Sequence, residues 1–181
     1  MTSKTESQQS LRKAGLRYLE KYAASTQSLR EVLKKRTLRF EVPDDSDVNV
    51  FDSWIDNIID QFTKNGLLND QLFAQARANS LFRKGTSIRM IRSKLIKKGI
   101  SNNIIDATIA KLASEWKDPD WKAAIRFSQR KKLGPFRIYK NRDDFIKRDL
   151  ASLGRAGFSF EMAKKIVYAL DPEKIDKDDG Y

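Results

Sequence analysis

The heptapeptide Leu95-Ile-Lys-Lys-Gly-Ile-Ser101 returns later in the chain as Leu153-Gly-Arg-Ala-Gly-Phe-Ser159. In both copies a leucine is followed four residues later by glycine, then by a large apolar residue and a serine. Glycine commonly ends a helix and serine commonly caps the next one, so each copy closes one helical stretch and opens another. This self-similarity predicts a chain of stacked supersecondary units, which offers an extended surface more readily than a deep catalytic pocket.

Apolar residues recur at helical spacing along most of the chain, and no segment alternates polar and apolar residues as a strand would. The helical stretches group into three triplets. The second and third triplets align through the heptapeptide, and the first aligns with the second if Ser25 matches Ser87 and Leu33 matches Leu95. The sequence therefore predicts an all-α protein of three tandem three-helix repeats, packed into an elongated, curved molecule.

The repeats divide the chain into segments with different expectations. Residues 1–10 are polar and are expected to be disordered, and an acidic tail, 171–181, follows the last helix. An acidic loop, 38–50, interrupts the first repeat, because Pro43 and several acids break the helical pattern there. The three repeats are placed at 11–65, 66–117 and 118–170.

Some helices carry a clearer apolar side than others. The stripe is strongest in 51–65, where a large apolar residue recurs every three or four positions. In the last helix, which Ser159 caps, we expect Leu170 to face inward. In 70–83 we expect the inner side to be marked by Phe73, Ala76 and Ser80.

The chain contains neither cysteine nor histidine. This excludes disulfides, thiolate metal sites, thiol nucleophiles and catalytic arrangements that need an imidazole. We therefore expect no cofactor. No stretch approaches the roughly 18 apolar residues of a membrane span, and no apolar signal segment is visible near the N-terminus. We expect a soluble, cytoplasmic monomer without membrane association.

The formal net charge of +12 is large for 181 residues and favours a polyanionic partner. The acids are segregated, since none occurs from Gln71 to Ile105 or from Trp121 to Arg142. Bases fill both stretches, although a merely solvated face would explain any one cluster taken alone. The candidate binding residues are Arg77, Arg83, Lys84, Arg89, Arg92, Lys94, Lys97, Lys98, Arg126, Arg130, Lys131, Lys132, Arg137 and Arg155.

Aromatic residues lie among these bases. Stacking on exposed nucleobases is one use for Phe82, Trp116 and Phe136. Burial in the core is the alternative, and it is the favoured interpretation for Trp54 and Trp121.

Carboxylates are the remaining acid–base groups. Asp143 and Asp144 are adjacent, and Asp56 and Asp60 lie one helical turn apart, as a metal-dependent nuclease would require. The simpler interpretation places the first pair at a helix N-terminus, where carboxylates complement the helix dipole, and the second pair on a polar helix face. We therefore expect no enzymatic activity and no metal site.

The segment Gly66-Leu67-Leu68-Asn69-Asp70-Gln71-Leu72-Phe73-Ala74 resembles the signature of the RecX family, in which glycine and a Leu-Asn-Asp or Leu-Asp-Asp turn precede Phe-Ala. A basic helix, Gly85, Ile88-Arg89 and Gly99 follow, also as in RecX. The third repeat is similar to the family at Leu133-Gly134-Pro135-Phe136-Arg137 and Arg155-Ala156-Gly157-Phe158-Ser159. The likeness covers about 11–170, is densest over 66–112, and is weakest in the first repeat, where the loop 38–50 departs from the family pattern.

The resemblance implies a three-repeat helical protein that regulates the recombinase RecA. Such proteins bind within the helical groove of the RecA–DNA filament. They suppress RecA's ATP hydrolysis, strand exchange and coprotease function, and so act in homologous recombination, DNA repair and the SOS response. The implied partners are RecA and the RecA–DNA nucleoprotein filament, with single- or double-stranded DNA as a further direct partner.

The sequence leaves other interpretations open beside this one. One is a sequence-independent nucleic-acid-binding helical module in which Ile88–Lys98 enters a groove. That segment lacks the Asn and Gln that commonly read adenine, which favours contact with phosphates over base reading. The other is the metal-dependent nuclease, which cleavage of plain DNA would reveal.

Overall fold

The computed structural model describes residues 4–40, 49–137, 142–172 and 175, and these ranges contain α-helices and short 3-10 turns but no strand. The helices are α1 Lys4–Lys21, α2 Thr26–Thr37, α3 Val50–Lys64, α4 Asp70–Arg83, α5 Ile88–Ile96, α6 Asn102–Glu115, α7 Pro119–Lys131, α8 Ile146–Arg155 and α9 Phe160–Val167. The 3-10 turns are Gly134–Phe136 and Asp143–Phe145. The predicted all-α class is confirmed.

The chain folds into two compact units. Unit 1 comprises Met1–Ala74 and Lys97–Ile104, and unit 2 comprises Gln75–Ile96 and Ile105–Tyr181. The second predicted repeat thus contributes residues to both units, so the units do not coincide with the repeats. The expected elongated, curved shape stays a prediction.

The core of unit 1 is built by α1, α2 and α3. Leu29 and Leu33 of α2 and Ile55 and Phe62 of α3 are fully buried, as the apolar stripes predict. Trp54 is 4% exposed and meets Phe51 edge-on at 5.3 Å between ring centroids, so its favoured core interpretation is correct.

Unit 2 is centred on α7, α8 and α9, which pack on one another. Ala123 and Ala124 of α7, Leu153 of α8 and Ile166 of α9 have no exposed surface. Small residues on α7 let its backbone approach the neighbouring helices closely, and this helix carries part of the candidate site.

Some predictions about single helices are wrong. The first helix begins at Lys4 instead of Leu11, so most of the segment 1–10 is helical. In α4 the buried residues are Ala74, Ala78, Leu81 and Phe82, whereas Ala76 is exposed and Phe73 and Ser80 are only half-buried. Leu170 lies beyond the end of α9 and is 81% exposed. Of the predicted acidic segments, residues 41–48 and most of the tail lie outside the described ranges.

A joint between successive repeats occurs twice, and we call it the repeat joint. In unit 1 the Ser25 hydroxyl, at the N-cap of α2, donates to the Lys98 carbonyl at 2.6 Å. The Thr26 N–H donates to Asp70 Oδ1 at 2.8 Å. Gly99 has φ +70, and a Cβ there would lie 2.3 Å from the Gln27 Cβ, so only glycine fits.

Unit 2 repeats the arrangement with different residues. The Ser87 hydroxyl donates to the Ala156 carbonyl at 2.7 Å, and the Ile88 N–H donates to Asp120 Oδ1 at 2.7 Å. Gly157 has φ +91, and a Cβ there would lie 2.6 Å from Ser87 Oγ. In each heptapeptide copy the glycine therefore contacts the start of a serine-capped helix from the preceding repeat. Gly99 contacts the start of α2, and Gly157 contacts the start of α5. Free N–H groups at a helix start are satisfied by an aspartate from the next repeat.

Candidate functional site

Basic and aromatic residues lie together where α7 passes the end of α4. We call this group the α4–α7 cluster, and it consists of Phe82, Lys84, Trp116, Lys122, Arg126 and Arg130. The Arg126 guanidinium lies 4.8 Å from the ring centre of Phe82 and 5.2 Å from that of Trp116. The Arg130 guanidinium donates to the Lys84 carbonyl and lies over Phe127 at 5.7 Å. Cation–π contacts and this hydrogen bond fix the positions of side chains that would otherwise sample many rotamers.

The aromatic rings of this cluster are in contact with its basic side chains. Phe82 is 2% exposed and Trp116 is half-buried, and the Trp116 ring contacts Lys122 at 5.3 Å as well as Arg126. A ring engaged in this way offers little free face to a nucleobase. Phe136 and Trp121 are half-buried, so neither is fully in the core. The geometry thus favours phosphate or carboxylate contact over base stacking.

The candidate bases of α5 have different surroundings. Arg92 forms an ion pair with Asp106 of α6 at 2.6 Å, which offsets part of its charge. Arg89 and Lys94 are exposed. The Arg89 Nε lies 3.5 Å from the position that a Cβ on Gly157 would occupy, so Arg89 sits beside the turn that follows Arg155. The repeat joint of unit 2 thus places Arg89 beside a turn that lies far from it in sequence.

Arg137 is the candidate whose surroundings differ most from a binding surface. Its guanidinium pairs with Asp149 Oδ1 at 2.5 Å, and the two side chains are 14% and 3% exposed. Asp149 Oδ2 also accepts the Gly134 N–H at 2.8 Å, and Arg137 lies 4.1 Å over the ring of Phe145. Arg137 therefore joins the 3-10 turn after α7 to α8, and we remove it from the proposed surface.

The remaining candidates keep exposed side chains. Lys97 and Lys98 belong to unit 1, where the Lys98 carbonyl is part of the repeat joint. The others belong to unit 2 and lie on α4, at the end of α7 or at the end of α8: Arg77, Arg83, Lys131, Lys132 and Arg155.

Two aspartates that were not predicted from the sequence hold elements or side chains around the candidate residues in place. Asp120 accepts the first N–H of α5, and Asp149 holds Arg137. Burial raises the pKa of Asp120 above its usual value of 3.8, with a smaller contribution from the neighbouring Asp118, while the Ile88 N–H lowers it. A comparison between repeats could have found Asp120, since Asp70 and Asp120 both stand in the first turn of a helix that opens a repeat.

The described part of the chain has no group of three or more Asp or Glu residues placed to hold a metal ion. Asp56, one of the carboxylates considered for a nuclease, pairs with Arg30 at 2.5 Å. Asp143 and Asp144 begin a 3-10 turn ahead of α8. Among the described residues, no helix combines the length and apolar character that a membrane span needs.

Known proteins resemble this chain in sequence. A family model described as the second three-helix domain of RecX matches residues 69–109. The chain is 38% identical over 158 residues to the regulatory protein RecX of Myxococcus xanthus strain DK1622, an alignment that covers 87% of this chain and 83% of that protein. It is 28% identical over 163 residues to the regulatory protein RecX of Streptomyces coelicolor, covering 89% and 78% of the two proteins.

Solved structures agree with this result at the level of the fold. The crystal structure of RecX from Lactobacillus salivarius has a TM-score of 0.66 at 18% identity, covering 96% of this chain and 99% of that one. A crystal structure of a regulatory protein RecX gives 0.62 at 18% identity, covering 90% and 72%. The predicted resemblance is thereby confirmed: the identity to the Myxococcus protein over most of both chains shows that this chain belongs to the RecX family of regulatory proteins.

Proposed function

We propose that this protein binds RecA and the RecA–DNA filament and mainly inhibits RecA's ATPase, strand-exchange and coprotease activities in recombination and DNA repair. Membership of the RecX family supports the regulatory role. The α4–α7 cluster is the observation that supports contact with the filament through basic side chains. Three of its cations, Lys122, Arg126 and Arg130, are positioned by aromatic rings and a backbone carbonyl before any partner arrives. Pre-positioned charges lose less conformational freedom on binding.

The partner chemistry follows from the types of side chain. Lys and Arg contact phosphates without reading sequence, and they equally suit acidic protein side chains. A nucleoprotein filament presents both kinds of anion. A regulator of a filament that assembles on any DNA gains from contacts that ignore base identity, so the absence of free aromatic faces in this cluster fits the proposal.

The proposal can be tested by neutralising two exposed cations of the cluster, Lys84→Gln with Arg130→Gln. Binding to pre-formed RecA filaments on single-stranded DNA should weaken by roughly tenfold, as expected when two charge-assisted contacts are lost. The matched control is Lys147→Gln with Arg148→Gln, which removes the same charge from the exposed surface of α8. Equal binding by the two double variants would contradict a role for the cluster.

A second candidate function is sequence-independent binding of nucleic acid without any effect on RecA. The exposed bases of α4, α5 and α7 favour it, because they need no RecA to contact phosphates. Under this alternative the protein would bind plain DNA and leave the ATPase rate of RecA filaments unchanged.

A further inference from the structure

A groove in unit 1 lies along α1 beside the last turn of α2. The basic residues around it were not among the candidate binding residues inferred from the sequence. Its volume is about 300 Å³, and the side chains of Gln9, Lys13 and Arg17 on α1 and of Arg36 on α2 line it. Lys13 and Arg17 are one helical turn apart, so both reach the same side of α1. We name this feature the α1–α2 groove.

Cations outnumber carboxylates among the side chains that line the groove. Three cations and one carboxylate, Glu6, line it, which leaves a formal charge of +2. Within the described ranges of the chain, the side chains of Lys13, Arg17 and Arg36 form neither an ion pair nor a hydrogen bond with another residue. Like charges at this spacing on one helix repel each other, so an anion between Lys13 and Arg17 relieves a repulsion that is present in the free protein.

Other bases of unit 1 show that this arrangement is not general. On the same helix α2, Arg30 pairs with Asp56 at 2.5 Å and Lys34 pairs with Asp52 at 3.0 Å, both on α3. The cations facing α3 are therefore neutralised within the fold. In the part of the chain that the structure describes, no carboxylate pairs with the cations that line the α1–α2 groove, and these cations share one concave surface.

The neutral groups in the groove narrow the ligand class. The Gln9 amide and the Ser10 hydroxyl add hydrogen-bond donors beside the cations, a combination typical of sites for phosphate oxygens. A second groove on unit 1, of about 400 Å³, offers a contrast, because mostly amide and apolar side chains and a single cation, Arg12, line it. The α1–α2 groove, at about 300 Å³, has room for a phosphodiester group with its sugar between the cations.

We propose that the α1–α2 groove binds a backbone phosphate of nucleic acid, which gives unit 1 a contact that does not involve the α4–α7 cluster. This inference goes beyond regulation of RecA and does not rest on it, because the ligand is the nucleic acid itself.

The test compares the full chain with the triple variant Lys13→Gln, Arg17→Gln and Arg36→Gln. The probe is a fluorescein-labelled, mixed-sequence single-stranded oligonucleotide, followed by anisotropy from low to high salt without RecA. We expect a loss of affinity of at least about tenfold at low salt. The slope of log K against log salt should become shallower by about 0.7 for each lost phosphate contact.

The matched control is Lys21→Gln, Lys35→Gln and Lys64→Gln, which removes the same charge from exposed positions of unit 1 that do not line the groove. Urea unfolding midpoints of both triple variants establish that the fold is kept. The same affinity and salt slope for both triple variants would overturn the proposal. A groove variant with normal oligonucleotide binding but weakened binding to RecA filaments would also overturn it and would identify an acidic protein surface as the ligand. If the unaltered chain fails to inhibit RecA, the proposed function fails, while the oligonucleotide result still decides the groove.

Discussion

The Asp120 carboxylate has two opposed effects on the stability of the fold. Its carboxylate caps the start of α5 through the Ile88 N–H, yet burial and the nearby Asp118 raise its pKa. A carboxyl group whose pKa is higher in the folded than in the unfolded state favours folding when it is protonated. That contribution is fully present below pH 3.8 and is lost as the pH rises through the folded pKa, so the ionised group costs stability at neutral pH.

We therefore expect Asp120→Asn to be at least as stable as the parent at pH 7, because the Asn oxygen can still accept from the Ile88 N–H without a buried charge. Below about pH 4 the difference should disappear, since both side chains are then neutral. Urea unfolding at a series of pH values measures this. A variant clearly less stable than the parent at pH 7 would mean that the negative charge at the α5 N-terminus is worth more than its desolvation cost.

Residue types alone could not assign the bases of the site to their roles. Arg126 and Arg137 lie in the same acid-free stretch and look equivalent in the sequence. In the fold, Arg126 stacks on Phe82 of a helix that lies far away in sequence, and Arg137 pairs with Asp149. Such partners are set by the packing of helices, so a charge pattern could predict a basic surface but not which bases compose it. The bases of the α1–α2 groove were missed because they are interspersed with acids in the sequence.

At the scale of elements, capping residues that can be read from the sequence mark the starts of several helices. Ser25 caps α2, Asp118 caps α7 and Ser159 caps α9, each with its side-chain oxygen accepting a backbone N–H. The inner side of α4 was mispredicted because small alanines lie around much of the helix and leave no single large apolar stripe. Which alanines are buried is decided by the neighbouring helices.

The repeat joint predicts that two glycines with similar backbones differ in their tolerance of a side chain. Gly157 has φ +91 and its Cβ position is blocked by Ser87 Oγ at 2.6 Å, whereas Gly66 has φ +71 and nothing within 4 Å of that position. Gly66→Ala should cost only the left-handed backbone term of about 1 kcal/mol. Gly157→Ala should cost at least about 1 kcal/mol more, because the joint must open.

Urea unfolding midpoints of the two alanine variants decide this point. Equal destabilisation would show that the Ser87 contact adjusts freely and that the joint does not constrain the turn. In that case the shared glycine of the heptapeptide would serve the turn alone.

At the scale of the whole molecule, the end repeats lack one half of the joint. The position that matches Ser25 and Ser87, eight residues before the buried leucine, is Phe145 in the third repeat, and it makes no capping hydrogen bond through its side chain. The position that matches Gly99 and Gly157 is Thr37 in the first repeat, a buried residue whose hydroxyl donates to the Lys34 carbonyl.

Thr37 and Phe145 therefore supply neither the glycine nor the capping serine of a further repeat joint, which is typical of terminal repeats. We expect the protein to sediment as a monomer, with a sedimentation coefficient that does not change with protein concentration. Concentration-dependent growth into larger species would contradict this interpretation of Thr37 and Phe145.

The rate of DNA-dependent ATP hydrolysis by pre-formed RecA filaments, followed as this protein is added, tests the proposed function. We expect the rate to fall when the protein is well below the RecA concentration, because one bound molecule would affect several filament subunits. The variant Lys84→Gln with Arg130→Gln should inhibit less than the control variant Lys147→Gln with Arg148→Gln. A rate that stays unchanged up to an excess of protein over RecA would mean that this protein does not regulate RecA.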